Sequence, residues 1–320
     1  MRERTACSTT NQAVTTDGWR QASQAVSVAM HTLMAVDMGL TITSRTVASP
    51  RSTDGPAERP GYVTDGATAR LLDDFITAIR PVVPLVSMWA HGSLAGGDYQ
   101  PTRSDLDLVA VLSRACTAQE EHHIADVHEI LGRSNPLAVK LHCGYLPAAE
   151  AADPARAHLA WAHEELLRRP ITPVTRRELH EFGLVLYGEP PAVILPPVTE
   201  RQLTDFVLHD LKTFWRPSLD HPEWWLKDIW VDLGLLTLAR ATVTLRTGKL
   251  ISKRDALGVL QELDAPAEVV EDIRRRRYGD PRPAGQPWLA YRAESTLAFL
   301  GPAIDRLVAG HKPTGTSAES

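Results

Sequence analysis

Long apolar runs are missing from this chain of 320 residues, and no stretch reaches the length needed to cross a membrane. Cysteine is scarce. Cys7, Cys116 and Cys143 stand far apart, which speaks against a disulfide framework or a cysteine-based zinc site and makes a reducing cytoplasm the simplest compartment. Positive charge is not in excess. The 34 Lys and Arg against 39 Asp and Glu give a formal net charge of −5, which disfavours nucleic acid or another bulk polyanion as a partner. A cationic or neutral small substrate fits that balance better. There is no internal repeat, and no cleavage pattern follows the mildly apolar segment 25–40. The 43% hydrophobic content is enough for one large or two ordinary domains with substantial cores.

What is present is organised around residues 90–111, AHGSLAGGDYQPTRSDLDLVAV. An apolar strand over 85–90 leads to a small-residue turn, His91-Gly92-Ser93, then a polar loop and a second strand. The second strand carries Asp105 and Asp107. Side chains alternate across a strand, so the two carboxylates share a face. They repel unless a cation sits between them. Mg²⁺ suits that role, since it takes oxygen ligands from one or two carboxylates together with substrate phosphates. Gly92 permits close approach of the backbone to a polyphosphate, Ser93 offers a hydroxyl, and Ser104 lies directly before the pair.

The flanking chain supplies a plan. Residues 1–65, rich in Thr, Ser, Ala and Gly, read as a disordered or weakly helical leader, with Met30, Met34 and Met38 as alternative starts. Leu71, Leu72, Phe75, Ile76 and Ile79 predict a helix over 67–80. Thr117 and Glu120 predict a capping box and a helix to 131. On that helix His122, His123, Asp126, His128 and Glu129 scatter round the cylinder, so a solvated face outweighs a metal site. Residues 137–145 read as a third strand, with Lys140 and His142 on one face. Helices are expected over 154–169 and 175–182, and a short strand near 183–191. The Pro-rich segment 190–197 is the best boundary, giving one domain over 66–192 and a helical one over 198–310, with a loose tail over 311–320. Beyond the boundary, helices are predicted over 200–215, 222–247, 253–263, 266–278 and 288–308.

The Gly-Ser turn followed by Asp-x-Asp on a strand resembles the signature of polymerase-β-like nucleotidyltransferases. The segment 237–256, TLARATVTLRTGKLISKRDA, sharpens this. It is similar to the ATP-binding stretch of the aminoglycoside (3″)(9) adenylyltransferases, which act on streptomycin and spectinomycin. Arg240, Thr247-Gly248 and Lys253 match that stretch, and Tyr278-Gly279 matches a later tyrosine and glycine. The resemblance implies a fold of class α/β plus all-α: a small mixed sheet with helices, then a C-terminal helical bundle. It implies transfer of AMP from ATP to a hydroxyl of a small molecule, with Mg²⁺ on Asp105 and Asp107. Arg240 and Lys253 would hold phosphates, a fork and a point charge respectively. Tyr278 would meet the nucleoside. Arg240 stands among Leu235, Leu236, Leu238, Ala239 and Val243, where a charge needs a partner.

Two features depart from the family. Its general base, a glutamate on the third strand, aligns with Lys140, and a protonated lysine accepts no proton. His142, two residues on, is the alternative base, with Glu150 and Asp153 as further candidates. Loss of the base would leave a nucleotide-binding protein without transfer. The acceptor could also be a protein. The family's acidic drug-binding positions fall at Leu226 and Trp230. Asp228 and Asp232 share a helix face instead, Trp224, Trp225 and Trp230 read mainly as core, and Glu164 and Glu165 read as a solvated helix face. The resemblance implies aminoglycoside modification and antibiotic resistance, and these departures at the drug-binding positions count against that part of it.

Overall fold

The computed structural model describes residues 65–311. The expected leader and tail lie outside the described residues, apart from Asp65 and His311. The first helix, α1 (Gly66–Ile79), buries Leu71, Leu72, Phe75 and Ile79, as their spacing predicts. The Asp65 carboxylate caps it by accepting from the N–H groups of Ala67 and Thr68. Strand β1 (Leu85–Ala90) runs into a short helix, α2 (Gly92–Gly96), and β2 (Leu106–Leu112) returns antiparallel to β1. The expected Gly-Ser turn is thus the opening of α2, which Gly97 closes at φ 85°.

Helix α3 (Ala118–Ser134) begins at the predicted capping box of Thr117 and Glu120. Its His128 is a correction to the solvated face. That ring is buried, lies 4.8 Å from the Trp161 ring in a stack, and shares a hydrogen bond of 2.8 Å with the Tyr145 hydroxyl. Strand β3 (Leu141–Pro147) pairs parallel to β2 and starts later than predicted. Pro136–Lys140 forms a 3₁₀ turn, with the Asn135 side chain accepting from the Leu137 N–H, so Lys140 stands outside the strand that holds His142.

The predicted helix over 154–169 is a hairpin, β4 (Ala157–Ala162) and β5 (Glu165–Pro170). Its text is rich in helix formers, yet burial of β4 on both faces, with Leu159 and Trp161 on one and Ala160 and Ala162 on the other, outweighs that small propensity. His163 and Glu164 both take positive φ, 52° and 61°, the mirror-image turn that matches strand twist. After α4 (Pro173–Phe182), β6 (Leu184–Tyr187) completes a six-stranded sheet of order β5-β4-β3-β2-β1-β6. One face packs Leu108, Cys143 and Tyr145 against α1 and α3. The other packs Val109, Val111 and Leu146 against Leu179 of α4. Asp107 alternates onto the α4 face.

The remaining chain is helical: α5 (Glu200–Asp210), extended by a π turn at Leu211–Trp215, then α6 (Asp228–Thr247), α7 (Lys253–Glu262), α8 (Ala267–Tyr278) and α9 (Gln286–Ala309). The helix expected over 222–247 is broken. A 3₁₀ turn at Trp224–Leu226 ends in an extended Lys227, and α6 starts after it. Trp225 and Trp230 are core, while Trp224 stacks on His221 with ring centroids 4.1 Å apart. Gly234 makes room, because a Cβ there would lie 2.7 Å from the Trp225 ring. No described helix is long and apolar enough to cross a membrane.

Two glycines separate backbone cost from crowding. Gly188 has φ 73°, and a Cβ there would collide with the Val86 carbonyl and Ser87. Gly97 has φ 85° and open space around it. Gly97→Ala should cost about 1–2 kcal/mol, the left-handed penalty alone. Gly188→Ala should cost about 3 kcal/mol or more, since overpacking adds to that penalty. Equal losses in chemical denaturation would contradict this assignment.

Candidate active site

Asp105 sits at the mouth of β2 and Asp107 within it, both on the α4 face and both largely buried, with side chains 13% and 9% exposed. The parallel register places His142 directly beside Asp107, with Nδ1 3.6 Å from Oδ1. Lys140, on its 3₁₀ turn, brings Nζ to 3.4 Å from Asp105 Oδ1. The base candidate level with the aspartates on β3 is therefore His142, and Lys140 is a neighbour of Asp105. Glu150 instead pairs with Arg156 at 2.9 Å and lies 3.3 Å from His158, while the Asp153 carboxylate accepts from the Ala155 N–H.

The other phosphate candidates follow the turn out of β1. Gly92 takes φ 65°, a conformation L side chains rarely adopt, and so bends the chain sharply into α2. Ser93 and Ser104 are buried, and the Ser104 hydroxyl accepts from the Gln100 N–H at 3.0 Å. The His91 N–H donates to the Asp107 carbonyl at 2.9 Å, which ties this turn to β2 at the aspartates.

Arg240 lies midway along α6, buried as its apolar neighbours predict. Its Nε donates to the Ile251 carbonyl at 3.1 Å, and its Nη2 stands 3.8 Å from Glu178 Oε1. Glu178, on α4, is fully buried and meets His91 Nδ1 at 2.9 Å on its other oxygen. Burial pushes the Glu178 carboxyl up to about 7, while His91 and then Arg240 hold it down. Arg240 is drawn down to about 10 by burial, opposed first by Glu178. Lys253 opens α7 and is 9% exposed. Burial, with Arg277 and Arg240, lowers its amine to about 7, and Asp105 and Asp107 act against that shift. Lys253 thus shares a field with the aspartates on β2.

Tyr278 joins the same junction. Its hydroxyl donates to the Asp98 carboxylate, and Arg254 lies over its ring at 4.3 Å. Asp98, 1% exposed in the loop after α2, also receives Arg254 at 3.0 Å and Arg277 at 3.5 Å. Asp98, Glu178 and His91 escape the sequence reading. His91 was in view as a neighbour of Gly92; Asp98 and Glu178 belong to no spacing that marks them.

As a metal site, the donor set suits Mg²⁺: two carboxylates on one face supply oxygen only. No group of three His, Cys, Asp or Glu able to hold a metal forms among the described residues, so this pair is the candidate. His122, His123, Asp126 and Glu129 form no such cluster either.

No family model matches this sequence, and no curated protein matches it. Among solved structures, the fold is similar to that of the spectinomycin adenyltransferase AAD(9) from Enterococcus faecialis, solved with ATP and spectinomycin. The TM-score is 0.60 at 16% identity, over 74% of this chain and 99% of that one. The mixed sheet followed by helices is the fold that the resemblance to aminoglycoside adenylyltransferases implied.

Proposed function

We propose that this protein is a Mg²⁺-dependent nucleotidyltransferase that moves AMP from ATP to a hydroxyl of a small molecule. What supports the reading is that Asp105, Asp107 and His142 share one sheet face, that Lys253 feels the charge of both aspartates, and that Arg240 stands beside Glu178, which feels Asp107. Mg²⁺ held by Asp105 and Asp107 would offset phosphate charge and polarise the phosphate oxygens. Arg240, fixed by Glu178 and Ile251, presents guanidinium donors to the triphosphate. Lys253 adds a charge in a desolvated place, where it acts more strongly than in water. The acceptor hydroxyl oxygen bonds to the α-phosphorus, and its proton passes to His142. The bond from the α-phosphorus to the bridging oxygen breaks, and pyrophosphate leaves with the electron pair. Binding without transfer is the second reading, favoured by one contact, the Lys140–Asp105 ion pair at 3.4 Å.

Asp107→Asn should cut pyrophosphate release about a thousandfold or more, as several kcal/mol of charge stabilisation disappear. His142→Ala should lose about 10²–10⁴-fold while still binding ATP, the range for a general base. Full turnover in either variant would reject the assigned role. ATP binding by calorimetry with no pyrophosphate from any hydroxyl compound would favour the second reading.

Lys253 gives a pH signature. With its amine near 7, the free protein carries that charge below neutrality and loses it above. ATP affinity should therefore fall as pH rises past about 7, because binding must then restore the proton. Lys253→Met should weaken ATP about 10- to 100-fold at pH 6, the worth of a charged hydrogen bond, and should lack this decline. Parallel pH profiles for the two proteins would overturn the role of Lys253.

A further inference from the structure

The charges that the junction leaves unmatched report on what it is shaped to receive. In the helical region Asp228, Asp232 and Asp272 are already paired. Arg276 pairs with Asp232 at 2.5 Å and with Asp272, and Arg292 pairs with Asp228 at 2.5 Å and Asp272 at 3.3 Å. Asp98 is held by Arg254, Arg277 and Tyr278, and Glu178 by His91 and Arg240. A polycationic ligand would have to break one of these contacts to gain a carboxylate. Glu164 and Glu165, at the hairpin turn, are exposed, where water and salt weaken a charge contact.

Arg169 on β5 is the opposite case. It lies opposite His158, which puts it on the sheet face of Asp107 and His142. Gly144, Ala160 and Leu167 form the row between, with the Ile171 side chain packed over Gly144. Arg169 is 9% exposed, and its Nη1 has no hydrogen-bond partner among the described residues. Burial lowers its guanidinium to about 10, with Asp107 the first charge opposing that shift, so it stays charged at neutral pH. An unsatisfied buried donor on a charged group is costly unless something accepts from it. Lys140 stands beside Asp105, the His142 and His163 rings meet at 4.8 Å, and Asp107 and Asp105 are the carboxylates that act on Arg169.

We propose that the acceptor is a hydroxyl compound bearing an anionic oxygen group, a carboxylate or a phosphate, which docks on Arg169 while its hydroxyl lies at His142. This rests on the transferase reading above and replaces the cationic or neutral substrate suggested by net charge. The guanidinium fork gives one such group two parallel hydrogen bonds. Arg169 is then a specificity residue, acting on the acceptor and leaving the triphosphate to Arg240 and Lys253.

Inorganic phosphate is the first probe. Full-length protein is saturated with Mg²⁺ and a non-hydrolysable ATP analogue, so that the nucleotide site is filled, and phosphate is titrated by calorimetry. Phosphate should bind, and Arg169→Met should weaken it about tenfold or more, the worth of a charge-assisted pair. Arg169→Lys, which keeps the charge, should retain part of the affinity and carries the comparison if the methionine variant does not fold. Unchanged analogue affinity shows that each variant is intact. No phosphate binding, equal binding to both variants and wild type, or a parallel loss of analogue affinity overturns the proposal.

The second arm uses a metabolite extract split into anionic, neutral and cationic fractions, with streptomycin and spectinomycin as separate acceptors. Labelled ATP and mass analysis of the products read transfer and tell carboxylates from phosphates. Transfer confined to the anionic fraction supports the proposal. Transfer only to neutral or cationic acceptors overturns it and leaves the transferase reading standing. Phosphate binding through Arg169 with no transfer to any fraction sinks the transferase reading and keeps the anion site.

Discussion

Glu178, a carboxylate with no exposed surface, fixes how the sheet and the helical region meet. Removing one partner from a buried ion pair leaves an uncompensated charge and costs about 3–5 kcal/mol. Glu178 has two partners, His91 from the end of β1 and Arg240 from α6, so the contact holds both regions at once. The consequence reaches the aspartates. His91 uses its backbone N–H on the Asp107 carbonyl while its ring meets Glu178, so one residue links β2 to the arginine. Arg240 is positioned by an ion partner and a carbonyl, which constrain direction in a way that apolar packing alone does not. Asp98 repeats the device nearby, collecting two arginines and a tyrosine from the helical region.

Much of this was legible in the sequence where a period or a spacing carries the information. The same-face geometry of Asp105 and Asp107 follows from strand alternation. The burial of Arg240 follows from its apolar neighbours, and the end of α6 follows from Gly248 at φ 70°. What escaped has a common character. Asp98 and Glu178 are single charges whose partners come from distant elements, Arg169 is a single charge buried by the hairpin, and a lone charge among surface-like residues looks the same buried or solvated. Segment 154–169 misled for another reason. Its Ala, Leu, Glu and Arg favour a helix by tenths of a kcal/mol each, a margin that packing against β3 overrules. Its turn uses His163 and Glu164 at positive φ, with no glycine or asparagine to announce it.

The arginines at 274–277 show why charge has to be read in place. As text they form a basic run of the kind that suits a polyanion. In the fold they divide among separate carboxylates: Arg274 and Arg275 face Glu271, Arg276 faces Asp232 and Asp272, and Arg277 faces Asp98. Arg276 and Arg277 are absorbed by buried contacts, while Arg274 and Arg275 share Glu271 at the surface. A net charge of −5 likewise says little about the junction, where buried carboxylates and buried cations meet.

Lys140 resolves in the same terms. Alignment sets it where a base is needed, and a lysine there would be disabling. The 3₁₀ turn moves it off the strand and leaves its side chain 42% exposed beside Asp105. A pair that open is worth about 0–1 kcal/mol, because water competes for both charges. On the proposed reading Asp105 and Asp107 would hold a divalent cation, and the Lys140 ammonium, on a flexible stem, can turn to solvent. His142, buried and level with Asp107, has no such exit.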